Sequence, residues 1–201
     1  MLILLLALCV PTLAVATEAD LVGQWTEQDH SGLSHVLDLA EDGGFTLHFD
    51  VLLPDDFWKD QPILPELVEG LDTARLTYTG QWEVQDGLMM LTADTFVMTL
   101  NGQNMWETIM DAVFETFKIR EGLSEEEITG LRSAGQETLR REEKEQEAER
   151  IEDFNRDNPH NYALEDGGAR LVLEIDEHPL HFQRVGSTAV QSWSWGQVKA
   201  R

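Results

Sequence analysis

The chain carries a single cysteine, Cys9, and only 14 Lys plus Arg against 38 Asp plus Glu. One thiol excludes an intramolecular disulfide framework, so stability has to come from buried apolar surface. The shortage of cations leaves a formal charge of −24. Nucleic acid is therefore a poor partner, because a phosphate backbone is held by Lys and Arg that displace its counterions. Long apolar runs are lacking as well. The uncharged opening MLILLLALCVPTLAVA is shorter than the ~20 residues that cross a bilayer core, and no stable membrane span is expected. It ends in Ala14-Val15-Ala16 ahead of Thr17, a small-x-small cleavage pattern. Residues 1–16 therefore read as a secretory signal and the protein as secreted or periplasmic; a short membrane anchor is the other reading of the same residues. Cleavage after Ala16 leaves a chain with no cysteine.

The acidity is unevenly placed. From Thr17 to Lys118 there are twenty acidic residues against Lys59, Arg75 and Lys118, whereas from Arg120 to Asp157 thirteen acidic residues face seven basic ones. Solubility accounts for such a surface; binding of a cation or of a basic partner is the sharper alternative.

The clearest local signal is Arg75 to Leu91. Leu76, Tyr78, Gly80, Trp82 and Val84 alternate with polar residues, Asp86-Gly87 supplies a tight turn, and Leu88 to Thr92 begins the return. Period-two alternation broken by Asp-Gly predicts a β-hairpin with one buried and one wet face. Leu33 to Val51, turning at Glu41-Asp42-Gly43-Gly44, predicts a second, and Leu171 to Arg184, turning near Asp176-Glu177, a third. Leu21 to Glu27 reads as a first strand and Thr95 to Leu100 as a further one. Between Leu52 and Thr73 three prolines, Pro54, Pro62 and Pro65, break the rhythm. They exclude a central strand and imply a packed excursion, either a lid or a plug over one end of the β structure.

Helical spacing replaces alternation after Asn101-Gly102. Met105, Trp106, Ile109, Met110, Val113, Phe114 and Phe117 form one apolar stripe over Asn104 to Ile119, a face that docks on the fold or stays open for a partner. Ser124-Glu125-Glu126-Glu127 is a capping box that starts a second helix, expected to run to Asn155 with a bend possible at Gly130 and Gly135. Its segment REEKEQEAER holds no large apolar residue and should project into solvent. Glu137 with Arg141 and Glu147 with Arg150 are spaced to pair along it. Asp153, Asn155 and Asp157 imitate the opening of a calcium loop, but Asn158 replaces the turn glycine and Leu164 the closing Glu; the stretch reads as a polar turn that ends the helix. The tail from Gly186 carries Trp193, Trp195, Lys199 and Arg201.

Gly23 and Trp25; Asp42, Gly43 and Phe45; Tyr78, Gly80 and Trp82; Asp86 and Gly87; and Phe182 with Arg184 together form a pattern that resembles bacterial lipocalin-like domains of the lipocalin superfamily. The resemblance covers about Leu21 to Leu100 and Leu171 to Val185, and leaves Asn104 to Asn161 as an insertion. It implies a mainly β fold with an α insertion: a small antiparallel β-barrel of repeated hairpins from residues 17–101 and 169–185, a helical insertion over 102–165 and a tail over 186–201. It also implies that Arg184 packs over Trp25 beside Gly23 to close one end of the barrel. Trp25, Phe45, Phe49, Tyr78 and Trp82 would line the interior around a small apolar ligand.

Catalytic residues are not indicated, since no Ser, Cys or Asp stands in a nucleophile setting, and no cofactor motif is present. Of the six histidines, His30, His35, His48, His160, His178 and His181, only His178 and His181 are near neighbours. A metal site there would need further ligands such as His48 or Glu174, and no metal is assigned. Three readings follow. The first is an extracytoplasmic carrier of a small apolar ligand. The second is an interaction protein using the inserted helices to hold a protein partner, and the third is a metal-binding envelope protein.

Overall fold

The computed structural model describes residues 18–28, 33–54, 56–59, 62–175 and 178–186. The expected signal, His30 and the Trp-containing tail lie outside the described residues.

A short helix α1 (Glu18–Leu21) leads into β1 (Gly23–Gln28), β2 (Ser34–Leu39), β3 (Gly44–Leu52), β4 (Thr73–Gln85) and β5 (Leu88–Leu100). Each strand pairs antiparallel with the one before it. The expected hairpins are therefore continuous members of one meander. Leu88 to Thr92 and Thr95 to Leu100, read separately from the sequence, are one strand interrupted by a bulge. Thr79 faces Thr95 while Gly80 faces Ala93, which leaves Asp94 as the extra residue. Gly80 is required there for space: a Cβ at this position would lie 2.0 Å from the Thr92 carbonyl oxygen and 2.8 Å from the Ala93 Cα. Both obstacles are backbone and cannot rotate away. Gly80→Ala is expected to cost about 3 kcal/mol or more, read as a fall in the urea midpoint; a midpoint within experimental error of wild type would show that the two strands separate freely at the bulge.

After β5 come β6 (Gln103–Asn104), helices α2 (Met105–Glu121) and α3 (Glu125–Arg156), and then β7 (Tyr162–Glu165), β8 (Arg170–Ile175) and β9 (His178–Arg184). The strand order is β6-β5-β4-β3-β2-β1-β9-β8-β7. Strand β7 lies inside the stretch expected to be a helical insertion. The expected barrel is seen only as an antiparallel sheet: the end strands β6 and β7 do not pair, so the sheet is not closed by its ladder.

What meets the open edge of β5 is the end of α3 and the residues after it. His160 exchanges both backbone hydrogen bonds with Met89, its N–H donating over 2.8 Å and its carbonyl accepting over 2.9 Å. Two residues further along β5, the Asn158 side chain accepts from Leu91 N–H at 2.9 Å and donates to the Leu91 carbonyl at 2.8 Å. Two residues beyond that, Asn155 does the same with Ala93, at 2.7 and 3.0 Å. Met89, Leu91 and Ala93 are the successive residues whose backbone groups face outward on this edge. Two primary amides and one peptide thus stand where a neighbouring strand would be, and they satisfy groups that are costly to leave unpaired.

The main core lies on one face of the sheet and contains Trp25, Leu37, Leu39, Phe45, Leu47, Trp82, Met89, Leu91, Leu171, Leu173 and Phe182, joined by Phe154 from α3. A second core sits where β3 ends and β4 begins. There the excursion between β3 and β4, including a 3-10 turn at Pro65–Leu67, buries Ile63 and Val68 against Ala112 of α2, with Trp58, Leu71, Ile109 and Val113 around them. The Leu64 N–H donates to Thr116 Oγ1 at 2.9 Å, and Trp58 Nε1 to the Leu71 carbonyl at 3.0 Å. The excursion is thus a packed element at that end of the sheet: its apolar side chains are matched by α2, and Trp58 also packs on the cluster of Ala74, Leu100 and Met105.

Helix α3 begins as expected, with Ser124 and Glu127 forming a reciprocal capping box that holds the Glu127 carboxyl below its usual range. It is a single element of 32 residues, about 48 Å long at 1.5 Å per residue. The ion pairs along it differ from those expected: Arg141 meets Glu145, and Arg156 meets Glu152 and Asp153.

Candidate functional site

The face of the sheet that carries the core is set by register. Phe49 of β3 faces Leu76 of β4, Leu47 faces Tyr78, and Leu173 of β8 faces Leu180 of β9, so all these side chains emerge on one side. Helix α3 brings its last two turns across this face. Phe154 stacks on Tyr78 with ring centres 4.4 Å apart and planes 20° apart, and lies 6.2 Å from Phe45 at 18°. Beside Phe154 the helix and sheet do not fill the space between them. A cavity of about 410 Å3 remains, lined by Phe49, Leu76, Tyr78, Phe154, Ile175 and Leu180, with Arg150, Asp153 and Asp157 on the helix side. Its size and its mix of apolar wall and a few charged groups suit a small ligand.

Of the five residues expected around a ligand, the structure places Phe49 and Tyr78 on this cavity. Trp25, Phe45 and Trp82 are buried in the core instead. Trp82 Nε1 donates to the Ala40 carbonyl at 3.0 Å and its N–H to the Gly43 carbonyl at 2.7 Å, locking the β2–β3 turn. Trp25 Nε1 donates to the Leu21 carbonyl at 2.8 Å. The Arg184 guanidinium lies 4.7 Å over the Trp25 ring, and its Nη2 donates to the carbonyls of Val22, at 3.1 Å, and Asp20. Gly23, with a φ of 135°, occupies a conformation that favours glycine and lets the chain pass beneath this guanidinium. Arg184, Trp25 and Gly23 form one structural unit, and none of the three lines the cavity.

Sequence reasoning missed Phe154, Arg150, Asp157, Asn155 and Asn158. Phe154 was detectable as a large apolar residue returning after the all-polar REEKEQEAER. The asparagines carried no signal, because their partners are 62 and 67 residues away.

Two histidines have pKa values lowered chiefly by burial: His48, whose Nδ1 is 2.9 Å from Thr77 Oγ1 and which also feels Arg75, and His160. His160 is 2% exposed and its Nε2 has no partner among the described residues. Because the folded pKa lies below that of the unfolded chain, the unfolded state takes up the proton first as the pH falls past about 6.5. Stability should therefore decline from about pH 7 to pH 5.5, before most carboxylates titrate. In His160→Gln the decline should be visibly shallower in urea titrations; identical pH profiles would remove His160 as the cause. Elsewhere among the described residues, His35 Nδ1 lies 3.3 Å from Glu27, and His181 Nδ1 lies 3.0 Å from Arg170. Among the described residues no three His, Cys, Asp or Glu side chains converge on a point that could hold a metal ion, and no helix is long and apolar enough to cross a membrane.

Fold and cavity define a mainly antiparallel β protein in which a long helix walls an aromatic cleft. Compared with protein families, with characterised proteins and with solved structures, the chain matches none.

Proposed function

We propose that this chain is an extracytoplasmic, lipocalin-like binding protein whose incompletely closed barrel, completed on one side by α3, holds a small apolar ligand. The observation that carries this reading is the cavity of about 410 Å3 between the sheet and α3. The signal-like opening MLILLLALCVPTLAVA supports a place outside the cytoplasm, and the Arg184–Trp25 stack supports the lipocalin-like comparison. A binding role fits a site whose walls are largely apolar and aromatic, with a few charged groups on the helix side.

Native mass spectrometry of the signal-free protein, recovered from its own compartment, tests this. A small mass that stays with the folded protein and leaves on denaturation is the expected result, and its value would give the ligand class. Recovery of the bare chain alone would count against a resident ligand.

A second reading is favoured by a different observation. Trp106, Met110 and Phe114 of α2 floor a cleft of about 390 Å3 against α3, rimmed by Glu107, Asp111, Arg132, Arg140 and Glu143. Here the inserted helices would hold a protein partner. Co-purification of a stoichiometric protein, abolished by Trp106→Ala but not by Tyr78→Ala, would favour this reading over the first.

A further inference from the structure

The charged groups at the cavity are unequal. Asp153 is answered by Arg156, Oδ1 to Nη2 at 2.9 Å. Arg150 and Asp157 are both exposed, and neither side chain makes a hydrogen bond or ion pair among the described residues, although both line the cavity. They are seven residues apart, Arg150 on α3 and Asp157 capping its end, about two helical turns, so their backbone positions lie near one face and about 10 Å apart along the axis. Between them, on that face, is Phe154, and opposite lie Phe49, Leu76, Tyr78, Ile175 and Leu180. The cavity therefore offers an apolar, aromatic wall with one unanswered cation at one end and one unanswered anion at the other.

Resting on the reading of this cavity as a ligand site, we infer that its ligand is an apolar zwitterion whose charges are about 10 Å apart. The ligand's anionic group meets Arg150 and its cationic group meets Asp157. The polarity agrees with the helix: Asp157 caps the C-terminus of α3, where the macrodipole favours a positive charge. A neutral apolar ligand would leave both charges unused, and a ligand with one charge would leave its opposite at the rim unmatched. An extended peptide spans about 3.3–3.6 Å per residue. An apolar tripeptide with free termini is thus the simplest molecule with the required spacing, its side chains facing Phe49, Tyr78 and Phe154. A guanidinium is suited to a terminal carboxylate, which it can grip through two parallel N–H donors.

The test uses the signal-free full chain and the neutral fluorophore N-phenyl-1-naphthylamine as a reporter of the cavity. It is displaced by Leu-Phe-Leu, by its N-acetylated form, by its C-terminal amide and by the dipeptide Leu-Phe. Free Leu-Phe-Leu should displace the dye best, and acetylation, amidation or shortening should each weaken it by about tenfold, the change that follows from losing one charge-assisted hydrogen bond. In Arg150→Gln the penalty for amidation should vanish while that for acetylation remains, and in Asp157→Asn the reverse. Both positions are exposed, so the variants should fold as wild type, which circular dichroism checks. If the dye binds and all four peptides displace it equally, or none does, the zwitterion inference falls while the cavity remains a ligand site. If the dye does not bind the wild-type protein at all, the ligand site falls and the inference with it.

Discussion

Replacing Asn155 and Asn158 together by Ala should unfold much of the β5 edge. The two amides make four hydrogen bonds, to both backbone groups of Leu91 and of Ala93. Once they are gone, four strand groups face the end of a helix with nothing in reach. Each polar group left unsatisfied costs about 1–3 kcal/mol when buried; these are part-buried, so some will recover water. Each single variant is expected to lose about 2 kcal/mol. The double variant should lose about twice that, as the two amides serve different residues.

Asn158→Asp sharpens the test. It keeps the acceptor for the Leu91 N–H but turns a carboxylate oxygen toward the Leu91 carbonyl, acceptor against acceptor. At neutral pH it should be at least as destabilised as Asn158→Ala, and it should recover as the pH falls and the new carboxyl gains a proton. Urea melts together with amide hydrogen exchange at Leu91 and Ala93 would read both effects. Unchanged protection at these two amides in the double variant would show that the edge does not depend on the asparagines.

Phe154→Ala should be the largest single-residue loss outside the backbone. The ring is buried, stacked on Tyr78 at 4.4 Å and near Phe45 at 6.2 Å, and it is the main apolar anchor that the end of α3 sets into the sheet. Truncating a buried Phe costs about 3–5 kcal/mol. The cavity beside it would be enlarged by the missing ring, so an apolar reporter dye should also bind with altered affinity. Phe154→Leu, which keeps much of the volume but not the stacking, should recover more than half of the stability. A loss of less than 1 kcal/mol in Phe154→Ala would mean that α3 is held by its asparagines and not by this ring.

Both variants act where α3 meets the sheet, and that contact links stability to the proposed site. Arg150, Asp153, Phe154 and Asp157 form the helix wall of the cavity, while Asn155 on the same turns fastens the helix to β5. A change that loosens α3 should therefore weaken binding and protection of the β5 edge together, whereas Arg150→Gln should affect binding alone.

By itself the sequence determined the strands of the three hairpins, the two helices and the stops between them. Alternation in Leu76 to Val84, Asp-Gly turns, the Ser124 capping box and Gly122 after α2 all act within a few residues, so their physics is written in adjacent letters. What depends on distant partners was not legible. The fusion of two expected strands into β5 is caused by a bulge opposite Gly80, whose reason is the Thr92 backbone across the sheet. Strand β7 is short and takes its extended shape from β8. Trp25, Phe45 and Trp82 look like Phe49 and Tyr78 in any hydropathy pattern, yet only Phe49 and Tyr78 reach the cavity, because α3 covers the sheet unevenly. The order of the strands, and the use of Asn155, Asn158 and His160 along the β5 edge, were decided by tertiary structure alone. A primary amide has the same donor and acceptor as a peptide, and only the arrival of a helix end 62 to 67 residues downstream puts it in a strand's place.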